Sequence, residues 1–291
     1  LIDNEVYKKV KDYSKNRNDL STYYEVGKLL IKAQGGEERA KYGDNLIKEY
    51  SERLFNDTGR KYNITALKRI RQFYLVVEKG VPLAHQLTWS HYCELLPLKD
   101  INEINYYIKI TIEQCLSKRQ LRERIRNKEY QRLDDKTKLK LINKEEIDIK
   151  DNIKNPIIIK NKLDIDKEIV SEKILQRLIL EDIPSFLEEL GTGYSFIKNE
   201  YKIKLGERYN YIDLLLFNIE YNCYVVVELK VTELKKEHIG QIQIYMNYID
   251  NSLRKLTQDK TIGLIICKKD NKYVIEYSSD KRILSREYEL I

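Results

Sequence analysis

The spacing of apolar residues changes along the chain. Through residues 1–130 it follows a helical period. In "LSTYYEVGKLLIKAQGG" Tyr23, Leu30 and Ile31 fall near helical spacing, and Gly35-Gly36 ends the run. "EERAKYGDNLIKEYSERLFNDTG" carries Leu46, Ile47, Tyr50 and Leu54 on one face and ends at Gly59. "TALKRIRQFYLVVEKG" starts at Thr65, a capping residue type, buries Ala66, Leu67, Ile70, Phe73, Tyr74 and Val77, and ends at Gly80. Further helices are predicted near 89–96, 100–115 and 117–130, with Asp100 and Ser117 as N-caps.

Residues 131–168 lose that period. They are rich in Lys, Asp, Asn and Ile and read as a linker with short strands. From 169 the pattern is that of an α/β unit. A helix is predicted over 169–189, strands over 194–205, 210–218 and 222–231, and a helix over 233–250. "KTIGLIICKK" and "KYVIEYS" read as two closing strands, which gives a mixed sheet with helices packed on it.

Three charges break the apolar pattern of the central strand pair, "YIDLLLFNIEYNCYVVVELKV". Side chains alternate along a strand, so Glu228 and Lys230 share a face with Tyr224 and Val226. Both faces of 223–231 are largely apolar, as in a central strand covered on both sides. A hairpin turning at Glu220-Tyr221 sets Asp213 opposite Glu228, with Cβ atoms ~4.5–5.5 Å apart. Two carboxylates ~4 Å apart repel by ~4 kcal/mol at an effective dielectric of about 20. One of them takes a proton, Lys230 offsets the pair, or a divalent cation binds between them. Mg²⁺ suits the last case, because it prefers oxygen ligands and is often held by one or two carboxylates plus water and phosphate. An ion so held acidifies water and polarises a phosphate, and Lys230 would serve the water and the transition state. E-x-K on a strand is common on its own. The upstream Asp, the aliphatic surroundings and the helix that follows set this one apart.

Composition narrows the partner. The 291 residues are 42% hydrophobic and 34% charged, with 53 Lys and Arg against 46 Asp and Glu, a net charge of +7. That favours an anionic partner, though Lys, Asn, Ile and Tyr are abundant throughout. Cys93, Cys115, Cys223 and Cys267 are scattered without zinc-like spacing and read as reduced thiols of a cytoplasmic protein. No apolar run approaches ~18 residues, so no membrane span is expected. No nucleotide-triphosphate motif is present.

The Asp213…Glu228-x-Lys230 arrangement resembles the PD-(D/E)XK nuclease superfamily, with Ile212 in place of the Pro. Gln241 and Tyr245, four residues apart on the following helix, resemble the Q-x-x-x-Y element that supports the site or contacts DNA in some members. Over longer stretches, "ELGTGYSFIKNEYKIKLGERYNYIDLLLFN", "CYVVVELKVTELKKEHIGQIQIYMNYID" and "TIGLIICKKDNKYVIEYS" look like the nuclease domain of the YhcG-like family. "YYEVGKLLIKAQGGEERAKYGDNLIKEYSERL", "ALKRIRQFY" and "LTWSHY" resemble its helical domain, and "NIKNP" its interdomain segment. The resemblance implies α/β (α+β overall) architecture, a mixed-sheet nuclease domain over 169–291 preceded by an all-α, winged-helix-like DNA-binding domain over 1–130. It implies a metal-dependent nuclease acting on DNA, with Mg²⁺ or Mn²⁺ held by Asp213 and Glu228, and homo-oligomers as an open question. The alternative is a binding or scaffold protein whose nuclease fold no longer cuts. It also implies an acid on the helix before the first strand. The equivalent position falls near Gln176, an amide, with Glu172 or Glu181 as substitutes on the same predicted helix.

Two basic segments are candidates for DNA contact. Lys68, Arg71 and Gln72 share a face opposite Leu67, Ile70, Phe73 and Tyr74. "SKRQLRERIRNK" offers Arg119, Arg122 and Arg126 to a phosphate backbone. A solvated helix face explains either equally well. His91 is expected as a packed structural residue, and His238 as a surface residue one turn before Gln241.

Overall fold

The computed structural model describes residues 4–13, 19–35, 43–58, 63–278 and 280–291. Gly36 and Gly59, named in two of the expected helix ends, lie outside them. The chain divides into two compact units, Leu1–Tyr130 and Gln131–Ile291.

The first unit holds α1 (Asn4–Tyr13), α2 (Leu20–Ala33), α3 (Gly43–Thr58), α4 (Ile64–Glu78), α5 (Trp89–Leu95), α6 (Ile101–Glu113) and α7 (Lys118–Arg126). Among its described residues there is no strand, so the winged-helix-like expectation meets helices and no wing there. Val10, Leu30, Ile47, Tyr50, Leu54 and Leu67 form its core. Gly27 lets α2 touch α4, since a Cβ there would lie 2.6 Å from the Ile70 carbonyl oxygen. Asp100 and Ser117 cap α6 and α7 as expected. The N-cap of α4 is Asn63 rather than Thr65, its side chain accepting the Ala66 amide at 2.7 Å. An Asx side chain reaches the third amide from just outside the helix, which Thr65, already inside it, cannot do.

The second unit is a six-stranded mixed sheet in the order β1-β6-β5-β4-β3-β2. Its strands are β1 (Ile157–Ile159), β2 (Tyr194–Leu205), β3 (Arg208–Asn218), β4 (Cys223–Glu233), β5 (Ile262–Lys269) and β6 (Ile283–Leu290). β2, β3 and β4 are antiparallel, and β4, β5, β6 and β1 are parallel. α9 (Glu172–Glu181) and α10 (Ile183–Leu190) cover one face, where Leu175, Leu178 and Phe186 pack on Leu214, Val225, Val227 and Leu229. α11 (Lys236–Ser252) covers the other, where Ile242, Tyr245 and Met246 pack on Ile212, Leu215, Val226 and Ile265. Gly263 admits α11 to the sheet, because a Cβ there would come within 2.6 Å of the Met246 sulfur.

Three segments differ from the sequence expectation. Residues 131–168 hold a short strand as expected, the edge strand β1 with its three buried isoleucines, but also an unexpected helix, α8 (Asp135–Asn143). The helix expected over 169–189 is two helices. Pro184 has no amide to donate and fits only a first turn, and Asp182 caps the second helix by accepting the Ser185 amide. "KYVIEYS" is not a strand: Lys272–Glu276 form α12, and the strand that follows β5 is β6. β5 and β6 are parallel neighbours, so the chain between them must cross back along the sheet and cannot pair in it.

Candidate active site

The site lies where β3 and β4 part. Their register runs Asn218↔Cys223, Leu216↔Val225 and Leu214↔Val227, the one a turn at Glu220-Tyr221 requires. Asn218 builds that turn. Fully buried, it accepts the Glu220 and Tyr221 amides at 3.0 and 3.1 Å and donates to the Thr192 carbonyl at 3.0 Å.

Past Leu214↔Val227 the ladder stops. The next rung would join Asp213 to Glu228, and a side chain replaces it: Asp213 Oδ2 accepts the Leu229 amide at 2.7 Å. Burial raises the Asp213 carboxyl above its ordinary pKa, partly opposed by the Leu229 amide and the Lys230 charge. On β4, Val227 and Leu229 turn to the α9–α10 core, so Glu228 and Lys230 turn to the α11 face.

Glu228 is the most perturbed acid of the site. Its side chain is 2% exposed. Burial, with the Asp213 charge second, pushes its pKa from 4.5 to about 8, although Lys230 opposes the rise. Lys230 Nζ stands 3.3 Å from Glu228 Oε2 and 3.7 Å from Glu172 Oε2. Burial works to lower the Lys230 pKa, but Glu228, Glu172 and Asp213 outweigh it and hold the ammonium above its ordinary value. Glu228 Oε1 is buried and has no hydrogen-bond partner. A buried, unpaired carboxyl oxygen is costly to the fold.

The helix positions separate cleanly. Gln176 Nε2 donates to the Asp213 main-chain carbonyl at 3.0 Å, so its amide braces β3. Glu172, at the first turn of α9, is the acid that reaches Lys230. Glu181 lies 4.0 Å from Arg177 on its own helix. On α11, Gln241 Nε2 donates to Tyr245 Oη at 3.1 Å, and the Tyr245 hydroxyl senses the charges of Glu228, Lys230 and Asp213. His238 Nδ1 accepts the Lys235 amide at 3.2 Å, and His91 Nδ1 accepts the Thr88 amide at 3.1 Å, so both histidines serve helix starts.

An ion with oxygen preference fits this donor set. At the site, Glu228 Oε1 and the second oxygen of Asp213 make no hydrogen bond among the described residues, while Lys230 and the Asp213 main chain act on the Glu228 carboxyl. No group of three or more His, Cys, Asp or Glu converges there as a complete metal cage among the described residues. Two carboxylates plus water and phosphate are what Mg²⁺ ordinarily takes.

The other sequence candidates lie in the first unit and are mostly engaged. Gln72 donates to the Leu96 carbonyl and Arg71 to Gln34 Oε1, and Lys68 is half-buried. Arg122 makes a two-pronged pair with Glu94 at 2.8 and 2.9 Å. Arg119 and Arg126 are exposed. No helix among the described residues is long and apolar enough to cross a membrane.

A mixed sheet whose hairpin opens onto Asp, Glu and Lys, with a helix on either face, is the arrangement of PD-(D/E)XK nuclease domains. Residues 150–291 match the family model described as the YhcG PDDEXK nuclease domain, and residues 4–132 match the DUF1016 N-terminal domain. The chain belongs to the YhcG-like family of the PD-(D/E)XK nucleases. The "Putative nuclease YhcG" of Escherichia coli (strain K12) is 26% identical over 93% of this chain and 83% of its own length. Among solved structures, a repair endonuclease from Pyrococcus abyssi is 16% identical, covering 42% of this chain and 47% of that one at a TM-score of 0.29. The EndoMS–dsDNA2 complex is 19% identical, covering 42% of this chain and 44% of that one, also at 0.29.

Proposed function

We propose that this nuclease is metal-dependent and hydrolyses phosphodiester bonds in DNA, with Asp213 and Glu228 holding Mg²⁺ or Mn²⁺. The observation that carries the reading is Glu228 Oε1, buried and unpartnered next to a Lys230 that stays charged. When bound, the ion would acidify water and neutralise charge on the scissile phosphate. To hold the ion Glu228 would give up its proton, and Asp213 would keep one oxygen on the Leu229 amide and offer the other. Lys230, fixed between Glu228 and Glu172, aims its ammonium where a phosphate oxygen gains charge and orients the attacking water. Gln241 fixes the Tyr245 hydroxyl at the α11 side of the site. The net charge of +7 supports a polyanionic substrate.

The test is cleavage of plasmid and linear DNA by the full chain with Mg²⁺, with Mn²⁺ and with EDTA, beside Glu228→Gln. Cleavage that needs the ion and vanishes in the variant is expected. Equal cutting by Glu228→Gln and wild type would overturn the assignment. Intact DNA throughout, still shifted on a gel, would favour a binding protein that has stopped cutting.

A further inference from the structure

A second surface of the nuclease unit is unused by this chemistry. At the C-terminal ends of β4 and β5, α11 and α12 enclose an open pocket of about 750 Å³. That lies within the ~300–1,000 Å³ of ordinary ligand pockets. Ile239 and Val274 supply apolar lining, and Lys236 and Asn271 supply polar groups. Tyr273 and Tyr277 complete the wall, yet they are 73% and 83% exposed. Spaced four apart around one helical turn, they stand on the same side of α12. Two neighbouring tyrosines that the fold leaves uncovered present ring faces to solvent.

The rim is basic. Glu233 pairs with Lys269 across the sheet, and the Leu234 amide donates to the Lys269 carbonyl at 3.0 Å, which brings Lys235 and Lys236 beside Lys268 and Lys269. All four are exposed, and Lys272 opens α12. Asn271 Nδ2 donates to Glu233 Oε1 at 3.1 Å and ties the pocket to the end of β4. From Lys230 to Glu233 is three residues of strand, about 10 Å, so one nucleic-acid strand spans both places.

Aromatic faces flanked by lysines are how proteins hold unpaired bases while their cations follow the backbone. A paired base buries both faces in its own stack and has none to offer. We propose that Tyr273 and Tyr277 form a stacking platform for unpaired bases of the substrate strand, with Lys236, Lys269 and Lys272 on its phosphates. The substrate of the site would therefore carry a single-stranded segment next to the cut. This rests on the nuclease reading of Asp213, Glu228 and Lys230.

The experiment measures binding of the full chain in EDTA, where cutting does not enter. A thymidine oligomer and a blunt duplex of equal length serve as probes for wild type, Tyr273→Ala/Tyr277→Ala and Tyr273→Phe/Tyr277→Phe. The alanine variant should lose ~10–100-fold or more in affinity for the oligomer, since one stacked base alone carries about that range. The phenylalanine variant should keep it, and duplex affinity should change less than about twofold in either, since a paired base reaches no platform. An oligomer carrying 2-aminopurine should be quenched by wild type and not by the alanine variant. Unchanged oligomer binding by the alanine variant, equal losses for oligomer and duplex, or 2-aminopurine quenching that survives the alanine substitutions would overturn the proposal. Circular dichroism on each variant separates lost stacking from lost folding. Glu228→Gln, run in parallel, separates the two readings: if it still cuts while the tyrosine variants lose the oligomer, the platform stands and the catalytic assignment falls.

Discussion

Replacing Glu228 by Gln should stabilise the metal-free protein while abolishing cleavage, and the size of the gain should depend on pH. The carboxyl moves from 4.5 to about 8 on folding because burial and the Asp213 charge disfavour its ionised form. The folded state thus holds a proton that the unfolded chain releases. Below an ordinary carboxylate pKa both states are protonated and Glu228 costs nothing. As pH rises through that value the unfolded chain ionises first, and stability falls until the folded carboxyl ionises too. At ~1.4 kcal/mol per pH unit, the span from 4.5 to about 8 sets a ceiling of about 5 kcal/mol, with about 3 kcal/mol already expressed at neutral pH. Gln fills the same volume and never ionises. Denaturant unfolding in EDTA should give wild type and Glu228→Gln similar stabilities near pH 4 and a widening gap towards about pH 9. A gap that does not change with pH would refute the raised pKa. The same proton opposes metal binding, so Mn²⁺ affinity of wild type should rise about tenfold per pH unit below pH 8 and then level off.

Lys230→Met should lower single-turnover cleavage by ~10²–10³-fold. Because Lys230 lowers the Glu228 pKa, the pH at which metal binding levels off should also move upward, readable by calorimetry. Gln176→Glu should fail to strengthen metal binding. It removes the donor to the Asp213 carbonyl and sets a charge near β3, so a loss of about 1–3 kcal/mol in unfolding experiments is expected, and tighter Mn²⁺ binding would contradict the bracing role. Asn218→Ala strands the Glu220 and Tyr221 amides inside the turn, and should cost about 2–3 kcal/mol by denaturant midpoint with the site chemistry untouched.

The hairpin was legible because its information is local. Two apolar runs with one short polar break admit a single register that keeps both faces dry, and that register brings Asp213 towards Glu228. The role of Gln176 was not legible, since the Asp213 carbonyl it braces is 37 residues away in sequence. Glu172 stood in the sequence only as one of two substitute acids, and of the two it is the one that stands 3.7 Å from Lys230. β6 was hidden by its charges. Arg286 within it is satisfied by the Ile153 carbonyl and by Asp134, more than a hundred residues upstream. A short strand was expected within 131–168, but the position of β1 was not legible, because three isoleucines among lysines and asparagines look like the rest of this chain until β6 pairs with them. The break at Pro184 was visible in principle, and the apolar period around it masked a residue that cannot donate inside a helix.

Asp213 and Glu228 stand at the same break between β3 and β4, yet selection would weigh them differently. Asp213 closes the last link between β3 and β4 through the Leu229 amide, so a lineage that stopped cutting would still have a structural reason to keep it. Glu228 has no comparable strand link, and without a ligand its burial costs stability as pH rises. Among descendants of this chain, a retained aspartate would therefore say little about activity, whereas a glutamate drifting to glutamine or an aliphatic residue would record the point at which cutting ceased to matter. For the same reason Asp213→Ala is an ambiguous inactive control, since it confuses a lost ligand with a lost strand pairing.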